Sequence, residues 1–340
     1  MVGVLKTSNR SKGAGQLMIA IVAIALFAGA ASALMFASII SGALISLVLF
    51  YLAPLPLMVA AIGWGPLSAA IGGVAATIGL GALFGLPYCF AYALTVALPA
   101  WWLGHLAMLG RPVANAAAGN GAAPVAPSME WYPTGRLLLW VTGFAVLTTS
   151  AAMLTLGTDA ATIVATMKRG LLRILGPRGT SPTVELEQWI DALVMIAPCA
   201  AAVVTLMTLT LNLWLAATIT ATSGRLQRPW PDLRSAALPP MTLVGLCIII
   251  AFCFVGGLLA MFAQIAAAAL VMAYALTGFA VLHTLTLALR TRALWLSCTY
   301  AVVIIFVWPA LALVVLGLLD AVFGLRERYL RTRPPPVSAA

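Results

Sequence analysis

The chain has 340 residues, 63% of them hydrophobic and only 8% charged, with a mean hydropathy of +1.10. A soluble domain carries about 25% charged residues because its surface must face water, so this composition excludes a water-soluble globular protein. The net charge of +10 does not imply a nucleic-acid partner: the basic residues lie in tails and short loops, where positive charge flanks membrane spans and meets anionic lipid headgroups.

Three basic residues, Lys6, Arg10 and Lys12, precede the first apolar stretch. Ala31-Ser32-Ala33 fits a small-x-small cleavage pattern, but the apolar run continues past it, which favours a retained helix over a removed signal. From Lys12 to Arg111 no Asp, Glu, Lys or Arg interrupts the sequence. About 20 apolar residues cross a hydrocarbon core as a helix, so this block crosses several times. Helices are expected because lipid leaves every backbone polar group to be satisfied internally, and the runs are unbroken rather than alternating. Punctuation at Pro54, Pro56, Gly63-Trp64-Gly65-Pro66 and Gly85–Pro87 places spans near 17–37, 40–62, 66–86 and 88–108. The first two also read as one long span plus a half-helix broken at the two prolines.

Residues 109–134, rich in Ala, Gly, Asn and Pro, cannot build a core and read as a flexible linker. A span near 136–157 follows, with Trp131, Tyr132 and Trp140 around its start, where amphipathic rings favour the headgroup level. Over 158–178 the pattern changes. Val164, Met167, Leu171, Ile174 and Leu175 share one side of a helix, and Lys168, Arg169 and Arg173 the other. This fits a helix lying in the membrane interface, or equally a connector covering the end of the bundle. Further spans are expected near 190–221, 240–262, 265–289 and 295–318. The Lys/Arg balance of the loops does not choose between an eight-span and a nine-span topology.

The expected fold is therefore all-α: a polytopic transmembrane bundle of eight or nine helices plus one interfacial amphipathic helix. Its parts are a cytoplasmic basic tail (1–14), an N-terminal block of three or four spans (15–108), the loop 109–134, a C-terminal block (135–324) and a basic, Pro-rich tail (325–340). A bacterial inner membrane is the expected location.

Signatures of chemistry are few. No phosphate loop, zinc-binding HExxH, GxSxG elbow or paired membrane aspartates occur, and only two histidines are present. The five cysteines lie in apolar runs without a CxxC pair, as small buried hydrophobes do. No enzyme activity, metal or cofactor is expected. Asn212, Gln264 and His283 lie within C-terminal spans, with Thr205, Thr208 and Thr210 nearby. Such side chains line a ligand path or serve as interhelical hydrogen-bond partners. Asp191 and Asp320 fall only at span ends, which disfavours an ion-coupled transporter. Ala25, Gly29, Ala33 and Ala37 place a small residue every fourth position, a stripe that suits close helix approach. It serves either a partner protein or internal packing.

Three segments carry a resemblance: Phe50-Tyr51-Leu52-Ala53-Pro54-Leu55-Pro56-Leu57 running into Gly63-Trp64-Gly65; Gly278-Phe279-Ala280-Val281-Leu282-His283; and Gly317-Leu318-Leu319-Asp320-Ala321-Val322-Phe323-Gly324-Leu325-Arg326-Glu327-Arg328. In this order, over about residues 15–330, the chain resembles the bacterial membrane family DUF2232, or YybS-like, itself grouped with the S components of energy-coupling-factor vitamin transporters. The resemblance implies a helical bundle that binds a small ligand and docks a membrane coupling protein with its ATPase, the stripe from Ala25 to Ala37 serving as the docking face. The chain departs from that pattern in its length, its larger number of spans and its lack of a vitamin-binding motif, so no ligand residue carries over. The alternative is a structural or scaffolding membrane protein without a substrate.

Overall fold

The computed structural model describes residues 2–113, 128–175, 183–232, 234, 236–287 and 289–332. The centre of the Ala/Gly-rich loop (114–127), the end of the amphipathic segment (176–178) and the tail from 333 onward lie outside the described residues. The chain divides into two compact units, one of Met1–Pro133 with Thr208–Pro231 and one of Thr134–Met207 with Asp232–Ala340.

Among the described residues, seven helices are long and apolar enough to cross a membrane, and three shorter apolar ones accompany them. Only 22–50% of the residues in each spanning window are buried within the chain. Large apolar side chains such as Ile19, Phe27, Leu83 and Met195 therefore stay on the outside. Water would not tolerate so much exposed apolar surface, whereas a bilayer requires it. The chain is a membrane-embedded helical protein.

The first unit opens with α1 (Val2–Ala37), then α2 (Leu44–Leu52), α3 (Pro54–Trp64), α4 (Pro66–Phe84), α5 (Leu86–Tyr92) and α6 (Leu98–Ala107). Strands β1 (Gly110–Val113) and β2 (Ser128–Trp131) pair antiparallel, with Gly110 opposite Trp131. The segment read as a linker thus begins and ends in a short ladder, tied further by an Arg111–Glu130 ion pair. Prolines set the helix breaks. Pro54 and Pro56 lack an N–H, so α2 stops at Leu52 and α3 restarts at Pro54. Pro99 removes the bond to the Thr95 carbonyl, and a π turn over Ala93–Ala97 joins α5 to α6. Gly65, at φ 98°, makes the corner into α4.

The seam of α1 runs through Ala25, Gly29, Ser32 and Phe36, the 4-3-4 spacing of a helix with 3.6 residues per turn. A strict four-residue repeat drifts about 40° per step, so Ala33 and Ala37 turn off the seam and are only half-buried. Gly29 lies against the Gly72 backbone, and Gly72 against the Ala25 carbonyl. A Cβ at either glycine would overlap a main-chain oxygen, so α1 and α4 pack backbone to backbone.

The second unit holds α7 (Thr134–Leu154), α8 (Ala160–Leu175), the first part of α9 (Val184–Thr222), α10 (Met241–Phe252), α11 (Gly257–Leu285), α12 (Arg292–Phe306), α13 (Ala310–Phe323) and α14 (Leu325–Thr332). At 39 residues α9 is the longest helix among the described residues and carries Pro198 inside it. The expected spans 240–262 and 295–318 are both interrupted. In the first, α10 stops at Phe252, and Gly256 and Gly257, with φ of 89° and 64°, start α11, positions where glycine carries no Cβ penalty. Val307, with φ 55°, breaks the other, followed by Trp308, whose helical backbone the ring of Pro309 disfavours. Around α11 the packing repeats the glycine device: Gly278 abuts Leu313 of α13, and Gly317 abuts Tyr274.

The amphipathic α8 forms as expected. Asp159 caps it, accepting from the Thr162 amide at 2.9 Å and the Thr162 hydroxyl at 2.6 Å. Ile163 alone is fully buried, and Lys168 pairs with Asp191 at 2.7 Å. Val164, Ile174 and Leu175 remain exposed.

Candidate functional site

The proline break between α2 and α3 sets the main polar site of the first unit. Pro54 and Pro56 remove the helical donors of the Phe50 and Leu52 carbonyls, and side chains from two other helices bond to the neighbouring Ala53 and Tyr51 carbonyls. Ser32 of α1 donates to the Ala53 carbonyl at 2.6 Å and accepts from the Tyr92 hydroxyl of the α5 end at 2.7 Å. Asn212 of α9 donates from Nδ2 to the Tyr51 carbonyl at 2.8 Å and to its own helix's Thr208 carbonyl at 2.8 Å. Ser32, Tyr92 and Asn212 are all fully buried.

Asn212 carries one further property. Both donor positions of its amide point at carbonyl oxygens, which fixes which end is nitrogen. Its Oδ1 is then a buried acceptor without a hydrogen-bond partner. An unpaired buried polar atom costs about 1–3 kcal/mol, and discontinuous membrane helices recur where transporters bind their solutes.

Gln264 and His283 belong to the second unit and do not join each other. They lie 19 positions apart on α11, about 28 Å along a helix. Gln264 is exposed. His283 is half-buried and its Nε2 lies 2.7 Å from the Tyr300 hydroxyl of α12, while Phe279 stacks on the Tyr300 ring at 5.0 Å and 12°. Tyr300 was not singled out from sequence, since a lone tyrosine in an apolar run carries no spacing signal.

The stripe also resolves in part. Ala25 and Gly29 meet α4 within the same unit, and Ala33 and Ala37 sit beside that seam. The observed use of the stripe is internal packing.

Two arginines hold carbonyls at loop junctions. Arg228 donates to the Ala107 carbonyl at 3.0 Å and the Tyr132 carbonyl at 3.1 Å, with its guanidinium over Trp131. In the second unit Arg326 pairs with Asp320 at 2.7 Å and reaches the Arg234 and Ala236 carbonyls. Neither was legible by charge pattern, because each arginine satisfies backbone oxygens from a distant loop.

No protein-family model, curated protein or solved structure matches the chain.

Proposed function

We propose that the chain is a solute-binding subunit of a bacterial inner-membrane transport system, S-component-like, in which the α2–α3 break is the binding locus and Asn212 is the acceptor that reads the solute. The observation that carries this reading is the buried, partnerless Oδ1 of Asn212 beside a broken membrane helix. Such an acceptor takes an N–H or O–H donor from a small solute. Asn212 is shut off from the surroundings, so this state is the closed one, and loading requires the break to move. Eight or nine crossings are proposed: the seven long helices, with α10, α12 and α13 supplying the rest. Membership of the DUF2232 or YybS-like group fits the same reading, since its third segment has defined physical roles here: Gly317 allows the close crossing, and Asp320 pairs with Arg326.

A scaffold without substrate is the second reading. It is favoured by the stripe, because Ala25 and Gly29 already pack on α4 and leave that face no room for a partner. The two separate on co-purification. A membrane coupling protein or ATPase recovered with gently extracted chain supports the transport subunit. Recovery with lipids and non-transport proteins alone favours the scaffold.

A further inference from the structure

An apolar groove of about 460 Å³ lies in the first unit between α1, α3 and the last part of α9, lined among others by Phe27, Ala28, Leu55, Val59 and Ile219. Phe27 on its rim is 78% exposed, so the groove opens sideways, toward the bilayer. Along α3 it ends five residues before Trp64, about 7.5 Å by helical rise. Along α9 it ends at Ile219, six residues before Arg225. The Arg225 guanidinium lies over the Trp64 ring at 5.2 Å. Among the described residues it forms no ion pair with a carboxylate. One end of the groove therefore leads to an aromatic ring of the kind that sits at headgroup level, carrying an exposed cation.

We propose that this groove holds an acyl chain of an anionic phospholipid, with the headgroup phosphate on Arg225. Charge complementarity selects the occupant. A second copy of the chain or an apolar partner helix would fill the groove but would leave the cation at its mouth without an anion. A guanidinium offers several N–H donors in a planar fork that suits phosphate oxygens, and stacking on Trp64 holds that fork at the mouth. The groove shares Pro56 with the α2–α3 break, but the inference does not rest on solute binding at Asn212, since neither Arg225 nor Ala28 takes part in the hydrogen bonds of Ser32, Tyr92 and Asn212 there.

The test uses the full chain in nanodiscs of equal phosphatidylglycerol and phosphatidylcholine, followed by native mass spectrometry of the lipids it retains. Wild-type protein should retain phosphatidylglycerol preferentially. Arg225→Gln should lower that preference about fivefold, the equivalent of about 1 kcal/mol per cation at an anionic surface. Ala28→Phe, which fills the groove, should lower retention of both lipids. A preference unchanged in Arg225→Gln overturns the proposal, as does retention unchanged by Ala28→Phe. If Ala28→Phe instead dissociates a dimer of the wild-type chain, a second copy is the occupant and the lipid assignment falls. Arg225 is exposed and outside the helices, so its variant folds whatever becomes of Ala28→Phe.

Discussion

Asp320 and Arg326, six residues apart across the α13–α14 corner, form an ion pair whose side chains are only 9% and 10% exposed. Gly324 turns the corner at φ 62°, and the Arg326 amide also donates to Asp320 Oδ1 at 2.9 Å. The guanidinium thereby ties the Arg234 and Ala236 carbonyls to the end of α13.

Breaking one side of this pair strands a buried charge, which costs about 3–5 kcal/mol. Arg326→Met and Asp320→Asn should each lower the thermal unfolding midpoint in detergent markedly. The double variant should be less damaging than the sum of the two, because the partners act as one unit. Strictly additive losses would contradict the clamp.

Gly29→Leu should be poorly tolerated, because a side chain there meets the Gly72 backbone. Overpacking of this kind costs about 1–3 kcal/mol or more. Ala37→Leu, off the seam, should stay within about 0.5 kcal/mol. Equal effects at both positions would mean that the four-residue stripe, rather than the 4-3-4 seam, is the contact. The readout is melting of purified protein.

Two ionisable groups support α8, and they limit it at opposite ends of the pH scale. The Thr162 hydroxyl, and after it the Thr162 amide, hold the Asp159 carboxyl below the ordinary carboxylate range. The hydrogen bond to Asp191 holds the Lys168 ammonium above the ordinary lysine range. A lowered acid stabilises the fold above its unfolded pKa, about 3.9, and that support is lost as pH falls through the lowered value. A raised base stabilises fully below its unfolded pKa, about 10.4, and that support is lost as pH rises through the raised value. Amide protection of 160–175, corrected for intrinsic exchange, should be flat from about pH 5 to 9 and fall beyond both limits. Asp159→Asn keeps a capping side chain and should abolish the acid limb. Persistence of that limb in the variant would assign it elsewhere.

Ser32→Ala should leave the Tyr92 hydroxyl and the Ala53 carbonyl without their recorded partner, at about 1–3 kcal/mol. Tyr92→Phe removes only a donor to Ser32 and should cost less. A Ser32→Ala protein as stable as wild type would show that the break needs no cap from α1.

Much of the fold was legible from residues alone, for identifiable reasons. Long apolar runs fix membrane helices, and Pro54, Pro56 and Gly65-Pro66 fix where they stop. The same rule applied to Gly256-Gly257 and Trp308-Pro309 marks the two interruptions inside expected spans, but high hydropathy on both sides masked them. Asn212 was legible as an intramembrane amide. Its role was not, because the carbonyl it caps is 161 positions away in sequence. Ser32 lies on the seam spacing of α1, but its bond to the Ala53 carbonyl, 21 positions away in sequence, has no signal in the chain. Gln264 and His283 share a helix, yet 19 positions of rise separate them.

The central claim, that the α2–α3 break binds a solute through Asn212, is tested most directly by native mass spectrometry of wild-type and Asn212→Leu proteins extracted from the same membrane. The account predicts a reproducible small-molecule adduct on the wild type that is lost in Asn212→Leu while its lipid adducts persist. A wild-type protein carrying no small molecule, or an adduct equally retained by Asn212→Leu, would contradict it and leave Asn212 as a cap on a broken helix.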